Sequence, residues 1–173
     1  KNITAKGIDV SEKLVTFGNL QLEDIYGEKD LLATVPEKQL FVDVKKTDKS
    51  VISAIGVIEH LRHPLKLFEA FAKSKAEFLF YTVPMFSMTV IFENIFNEIF
   101  PRHLSGGHTH LFTENSITEM HRLGGVESIS EWRFGTDMMD LYRSINIKLR
   151  QNKASPIMLM MYDVMMIMIM IMV

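Results

Sequence analysis

Three of the six histidines lie close together in residues 101–110, "PRHLSGGHTH". Histidine changes its charge near neutral pH, so His103, His108 or His110 could take a proton from a hydroxyl or a phenol. His108 and His110 are two residues apart and would share a face if this segment is extended. The alternative for each histidine is a structural hydrogen bond to a neighbouring backbone carbonyl. We predict that one of the three is a general base.

Acidic residues follow two of the apolar segments. The run at residues 51–58 ends in Glu59 and His60, and the short segment at residues 5–11 contains Asp9. In parallel α/β sheets, ligands bind where the carboxyl ends of strands meet their loops. A carboxylate there can accept hydrogen bonds from both vicinal hydroxyls of a ribose, which makes Asp9 a candidate ribose acceptor. The alternative is that Asp9 begins a turn or interacts with the dipole of the following helix.

The elements that would position these residues follow from the hydrophobic pattern. Short apolar or β-branched segments predict strands, and apolar residues at three-to-four spacing predict helices. The alternation of strand, helix and strand over residues 51–83 predicts an α/β fold with a mostly parallel sheet flanked by helices. The predicted strands are residues 5–11, 39–44, 51–57, 77–83 and 126–134. The predicted helices are residues 12–19, 64–75, 91–100, 113–123 and 137–150, and residues 20–35 are assigned only as helix or loop.

Composition limits the classes of function. A net charge of -2 provides no general field for nucleic acid or anionic membranes, so we predict no nucleic-acid partner. The absence of cysteine excludes disulfides, zinc-thiolate sites and cysteine nucleophiles, which fits a reducing compartment, and we predict a cytoplasmic location. The first ten residues contain no apolar core of a signal peptide. We predict one domain at residues 1–150.

The remaining segment, residues 151–173, is a Met-rich apolar tail with eight methionines after residue 156. Its apolar length approaches that of a membrane span, but Tyr162 and Asp163 interrupt it, and we expect no span. The alternatives are a buried terminal strand, an interface segment or an irregularity of the sequence. Methionine suits adaptable binding faces, although it more often fills gaps in a core.

Three blocks of the sequence, taken in order, resemble class I S-adenosylmethionine-dependent methyltransferases from their second strand onward. They are "GIDVSEKLVTFG", "VISAIGVIEHLRHPLKLFEAFAKSKAEFLFYTVP" and "HTHLFTENSITEMHRLGGVESISEWRFGTD". The resemblance implies a Rossmann-like fold and S-adenosylmethionine as the cofactor. The first strand and the glycine-rich loop of that family are expected to precede Lys1, so the resemblance implies an N-terminally incomplete domain.

The resemblance also implies roles for individual residues. Asp9 matches the acid that holds the cofactor ribose. The loop after the family's fourth strand, beside the methionine part of the cofactor, is matched by Gly56, Val57, Glu59 and His60. The exit of the fifth strand, which borders the substrate pocket, is matched by Pro84 and Met85.

A metal site is an alternative use of the same residues. Glu59, His60 and either His108 or His110 would offer nitrogen and oxygen ligands to a divalent ion. Some methyltransferases of similar appearance carry a Glu-x-x-Glu-His segment, and here Gly56 stands in place of the first Glu. One ligand is therefore absent, and we predict no metal.

Two functions remain in competition. The first is methyl transfer to a small molecule by in-line displacement, with a histidine as general base if the acceptor must lose a proton. The second is a catalytically inactive methyltransferase-like domain that serves in protein-protein assembly. Residues 91–100 are predicted to form an amphipathic helix, because Ile and Phe recur there at three-to-four spacing with Glu93, Asn94, Asn97 and Glu98 between them. Its apolar stripe could pack in the core, form a dimer face or cover the substrate site. In either function this helix or the tail could mediate homo-oligomerisation.

Overall fold

The computed structural model describes residues 5–96, 103, 107–133 and 136–172, with backbone alone for residues 136–141 and 165–172. The described chain is an α/β protein with short parallel strands and seven α-helices. The strands are β1 (Gly7–Asp9), β2 (Leu32–Thr34), β3 (Val51–Ala54) and β4 (Phe78–Tyr81). The helices are α1 (Glu12–Tyr26), α2 (Glu37–Lys46), α3 (Leu65–Ala72), α4 (Met88–Ile95), α5 (Glu114–Gly124), α6 (Thr136–Gln151) and α7 (Pro156–Met172), with a 3-10 helix at Ile58–His60.

The chain forms two compact units. The first comprises Lys1–Thr82 and Glu119–Val126, and the second comprises Val83–Thr118 and Glu127–Val173. The strands β1 to β4 all belong to the first unit, where β1 pairs in parallel with β2 and β3 pairs in parallel with β4. These are two separate two-stranded sheets in the described part of the chain. The predicted α/β fold class with parallel strands is therefore confirmed.

Local signals place β1 and α1 as predicted. Ser11 caps α1, because its side chain accepts a hydrogen bond from the backbone of Leu14. The helix runs past the predicted end at residue 19 and stops at Gly27, whose φ of 70° is the left-handed conformation that glycine adopts most easily. Asn19 then bonds both backbone groups of Leu32 at 2.9 Å, which fastens β2 to α1.

Two predicted strands are wrong. Residues 39–44 belong to α2, where Leu40 and Val44 lie one turn apart and are both buried. Their four-residue spacing is helical, although the β-branched and aromatic composition favoured a strand. Residues 126–133 form no regular element, and Ile129 is 78% exposed there; Phe134 lies outside the described residues. Conversely, strand β2 was not predicted, because its three residues are too few to show an alternating apolar and polar pattern.

The core of the first unit is built around Phe68 of α3. Its side chain is fully buried, and its ring meets that of Tyr81 edge to face at a centroid distance of 5.3 Å. Tyr81 in turn shares a 2.6 Å hydrogen bond with His121 of α5. Gly124 lies directly against Phe68, so α5 approaches α3 closely because this position has no side chain.

The second unit contains α4, which differs from the predicted amphipathic helix. The prediction gives residues 91–100 an apolar Ile-Phe stripe with Glu93 among the polar residues between, whereas in the structure Glu93 is buried and Ile95 is 64% exposed. The predicted position of Glu93 is wrong, because the inward face of α4 contains Thr89, Val90 and Glu93. Ile95 is not part of the core, and the dimer-face and lid alternatives stay predictions. Residues 97–100 lie outside the described part.

The tail is helical, so a terminal strand is excluded for Pro156–Met172. Tyr142 of α6 donates a 2.7 Å hydrogen bond to Asp163 of α7, and its ring stacks on that of Tyr162. Asn146 also reaches Asp163, at 3.3 Å. In the described residues, no helix combines the length and the apolarity needed to cross a membrane.

The close contact at Gly124 predicts an overpacking effect. Gly124→Ala should lower the free energy of unfolding by about 1–2 kcal/mol, because overpacking costs about 1–3 kcal/mol and alanine gains at most about 1 kcal/mol in a helix. Urea denaturation followed by circular dichroism measures the change. The control Arg122→Ala, at an exposed position of α5, should leave the midpoint nearly unchanged. A stabilised Gly124→Ala variant would contradict the packing at Phe68.

The contacts between α6 and α7 predict a loss of stability at alkaline pH. Burial raises the pKa of Tyr162 to about 12, with the negative charges of neighbouring groups adding to it. The ordinary tyrosine pKa is about 10, so the folded state binds this proton more tightly than the unfolded state does. The resulting stabilisation is present below a pH of about 10 and is lost as the pH rises through the folded-state value. Urea denaturation at a series of pH values should show this loss of stability. The substitution Tyr162→Phe should remove the part of the pH dependence that comes from Tyr162. The control Tyr26→Phe, at an exposed position, should retain it.

Candidate functional site

Asp9 ends β1, as predicted, and its side chain is exposed. Its backbone carbonyl accepts a hydrogen bond from Val35 at 2.9 Å, and its Oδ1 accepts one from the backbone of Ser11 at 2.7 Å. The second bond is the turn-forming role that was the alternative for this residue. A carboxylate has two oxygens, so the turn leaves acceptor capacity at Oδ2. The ribose role of Asp9 stays a prediction.

Gly56 forms the turn that follows β3. Its φ of 63° lies in the left-handed region, which favours glycine over residues with a side chain. Its N–H donates to Oγ1 of Thr82 at 3.1 Å, and the N–H of Thr82 donates to the carbonyl of Ala54 at 3.3 Å. These two bonds tie together the carboxyl ends of β3 and β4.

The Glu59-His60 pair stands in the 3-10 helix Ile58–His60, which begins after Val57. Ile58 and Glu59 are buried, whereas His60 is exposed. The apolar run therefore ends in an inward-facing acid followed by an outward-facing imidazole. A buried glutamate is rare in proteins, so Glu59 is an unusual residue at this strand end.

Pro84 and Met85 lie in the second unit, where Phe112 brings them near His110. The carbonyl of Pro84 accepts a hydrogen bond from Phe112 at 3.2 Å, and Met85 and Phe112 form a parallel bridge. The ring of His110 stacks on that of the buried Phe112, at a centroid distance of 6.1 Å. Thr109 Oγ1 lies 2.8 Å from Nδ1 of His110. The predicted substrate border and one predicted histidine are thus parts of one local structure.

The most developed polar arrangement in the second unit joins Glu93 of α4 to His103. The Glu93 side chain is 1% exposed and that of His103 is 11% exposed. The Glu93 carboxylate accepts the backbone N–H of His103 at 3.0 Å and lies 2.9 Å from Nδ1 of its ring. Because an ionised carboxylate only accepts hydrogen bonds, Nδ1 carries a proton and Nε2 is the basic nitrogen when the imidazole is neutral.

His108 extends this arrangement. Its Nδ1 lies 3.1 Å from the backbone carbonyl of His103, which can only accept, so Nδ1 of His108 is also the protonated nitrogen. The structure therefore connects Glu93, His103 and His108 by consecutive hydrogen bonds. The bond of His108 to a carbonyl is the structural role that was the alternative for the histidines. His103 differs, because a buried carboxylate orients its ring, as in the base-and-orienter pairs of many enzymes.

Glu93 is the residue that sequence reasoning assigned wrongly. It was placed on the polar face of an amphipathic helix, and it is instead the buried partner of His103. The sequence contains one indication of this pairing. A histidine-containing segment follows the apolar helix, and a histidine that packs against the helix needs a hydrogen-bond acceptor. Nothing in the sequence distinguishes Glu93 from the neighbouring Glu98 in this respect.

The predicted site residues are divided between the two units. Asp9, Gly56, Val57, Glu59 and His60 belong to the first unit. Pro84, Met85, His103, His108 and His110 belong to the second. Within the first unit the structure places Asp9 and Gly56 at carboxyl ends of strands. Within the second it groups His103 with His108, and His110 with Pro84 and Met85.

Comparison of the chain with protein-family models, with curated proteins and with solved structures finds no match.

The Glu93–His103 contact predicts both a stability and a tautomer change. Glu93→Gln should lower the free energy of unfolding by about 1–3 kcal/mol. The carboxylate accepts hydrogen bonds from both the backbone N–H and the ring of His103, and the amide replaces one of its two acceptor oxygens by a donor. Nitrogen NMR of the wild-type protein should show the neutral His103 ring protonated at Nδ1, and the variant should lose this preference.

The matched control is Glu127→Gln, which changes an exposed acid of the same unit. It should alter neither the urea midpoint nor the His103 spectrum. A wild-type ring protonated at Nε2 would contradict the hydrogen bond to Glu93.

Proposed function

We propose that this chain forms the later part of a Rossmann-like domain of an S-adenosylmethionine-dependent methyltransferase that acts on a small molecule. The pairing of the strands carries the proposal. In the doubly wound order 3-2-1-4-5-6, the second strand lies beside the third and the fourth lies beside the fifth. If β1 to β4 correspond to the second to fifth strands, the observed pairs β1–β2 and β3–β4 are those of this order. The first strand belongs between the two pairs.

The strand ends offer groups that fit the cofactor. Asp9 is exposed at the carboxyl end of β1, and a carboxylate suits the vicinal hydroxyls of a ribose. Gly56 turns the chain after β3 without a side chain, which allows a ligand to approach the backbone closely. S-adenosylmethionine, when bound, would supply an electrophilic methyl group. The residues of this chain would hold its ribose and border its methionine part.

His103 is the best-supported base in this proposal. Its Nδ1 is held by the buried carboxylate of Glu93, so Nε2 is the nitrogen that accepts a proton. A positioned general base contributes roughly 10²- to 10⁴-fold when the acceptor must lose a proton. Glu93 acts through His103 and is a positioning residue. The oriented ring favours His103 over His110, which packs against Phe112.

A second candidate function is assembly without catalysis. One observation favours it, namely the large apolar side chains that the first unit leaves exposed. Leu14, Phe17 and Leu20 of α1 are each about 60% exposed, and Phe80 of β4 is 58% exposed. Large exposed apolar side chains commonly mark an interaction site where they form a patch. A partner protein that covers these residues would stabilise the unit whether or not it binds a cofactor.

Calorimetric titration with S-adenosylhomocysteine tests the enzyme proposal. A version of the chain extended upstream to include the first strand and its glycine-rich loop should bind this product with saturable, one-to-one stoichiometry. Asp9→Asn should weaken binding about tenfold or more, because a hydrogen bond to a charged group contributes about 1.5–3 kcal/mol.

Asp24→Asn is the control, since Asp24 is an exposed acid on α1 in the same unit. Its affinity should equal that of the unsubstituted chain. Absence of saturable binding, or equal weakening by both substitutions, would reject the cofactor assignment and favour assembly.

A further inference from the structure

The described part of α7 exposes an apolar surface. Five of its residues are 52–68% exposed: Ile157, Met158, Met160, Met161 and Val164. A helix that is apolar on all sides is normally covered, either by protein or by lipid. In the described part of the second unit α6 lies against one side of α7, through contacts at Tyr162 and Asp163.

The only acid in the sequence of α7 is turned away from this surface. Asp163 accepts hydrogen bonds from the Tyr142 hydroxyl at 2.7 Å and from the Asn146 amide at 3.3 Å, both on α6. These contacts satisfy the carboxylate inside the helix pair. The outer side of the described part of α7 therefore presents apolar side chains without a charge.

Basic residues precede the apolar surface along the chain. Residues 141–162 contain three basic residues in α6, which are Arg143, Lys148 and Arg150, and a fourth, Lys153, in the turn to α7. No acid occurs in this stretch. Arg143, Arg150 and Lys153 are exposed, and Lys148 lies over the Phe96 ring with its ammonium 4.8 Å from the ring centre. Arg150 at the end of α6 and Lys153 in the turn before α7 are exposed next to this apolar helix in the chain, and two such cations are complementary to anionic lipid headgroups above an acyl layer.

We propose that α6 and α7 together bind the surface of an anionic lipid membrane. The exposed methionines and isoleucine of α7 enter the boundary between headgroups and acyl chains, while Arg150 and Lys153 contact the headgroups. The charge pattern selects this occupant over a second copy of the chain, which would add further cations and no acid from this stretch. The inference is independent of the proposed cofactor chemistry, because it concerns other residues.

Vesicle flotation tests the proposal, with vesicles of phosphatidylcholine alone and of phosphatidylcholine mixed with phosphatidylserine in equal amounts. The chain should float with the mixed vesicles and not with the neutral ones, and added salt should weaken its binding. The double substitution Arg150→Gln with Lys153→Gln should lower the partition coefficient about 30-fold, which corresponds to about 1 kcal/mol for each charge. Met160→Ser with Met161→Ser should lower it about tenfold or more, since methionine burial drives the insertion.

The matched control is Lys45→Gln with Lys46→Gln, which removes two cations from α2 in the first unit. This variant should bind within about twofold of the original chain, since its substitutions lie in the first unit, outside the proposed surface. The circular dichroism spectra of all variants should match that of the original chain, because every substituted side chain is exposed. Equal loss in the control, equal flotation with neutral vesicles, or absence of flotation would each overturn the proposal. Absence of flotation together with a dimer in light scattering that Met160→Ser with Met161→Ser abolishes would identify a self-association surface instead.

Discussion

Parallel strand pairing is the constraint on which the first unit depends. A parallel pair cannot be closed by a tight turn, so the chain must return through a crossover before the second strand begins. Here α1 connects β1 to β2, and α3 follows the 3-10 helix between β3 and β4. In each pair both carboxyl ends consequently lie at the same edge. Asp9 lies at such an end in the first sheet and Gly56 follows one in the second, and carboxyl ends of parallel strands are where ligands bind in α/β proteins.

The second unit follows a different principle, the burial of a charged group that must be paired. A carboxylate removed from water is costly unless donors surround it. Glu93 meets this condition through the backbone and the ring of His103, so the same contact that fastens the loop to α4 also orients an imidazole. The position of the ring proton reports this contact directly, because only an Nδ1-protonated ring donates to the carboxylate.

Exposed apolar side chains are common to both units. Along α1 and β4 they lie on elements of the first unit, and along α7 they form the outer side of a helix whose acid is turned inward. Apolar surface of this extent is stabilised by contact with another surface. The two cases differ in their charge. Exposed Arg150 and Lys153 come just before α7 in the chain, while the exposed part of α1 carries both Glu12 and Lys13 beside Phe17.

Local sequence signals determined much of the first unit. The Ser11 cap, the apolar run of β3 and the proline before α3 each act within a few residues, so they could be read without knowledge of the fold. Tertiary structure decided what local signals leave open. Residues 39–44 became helical because Leu40 and Val44 could be buried together one turn apart, and three-residue β2 exists because β1 and Asn19 provide its hydrogen bonds. The inward position of Glu93 likewise depended on His103, ten residues away in the sequence. Sequence alone determines which groups need partners, and only folding in three dimensions decides which partners they meet.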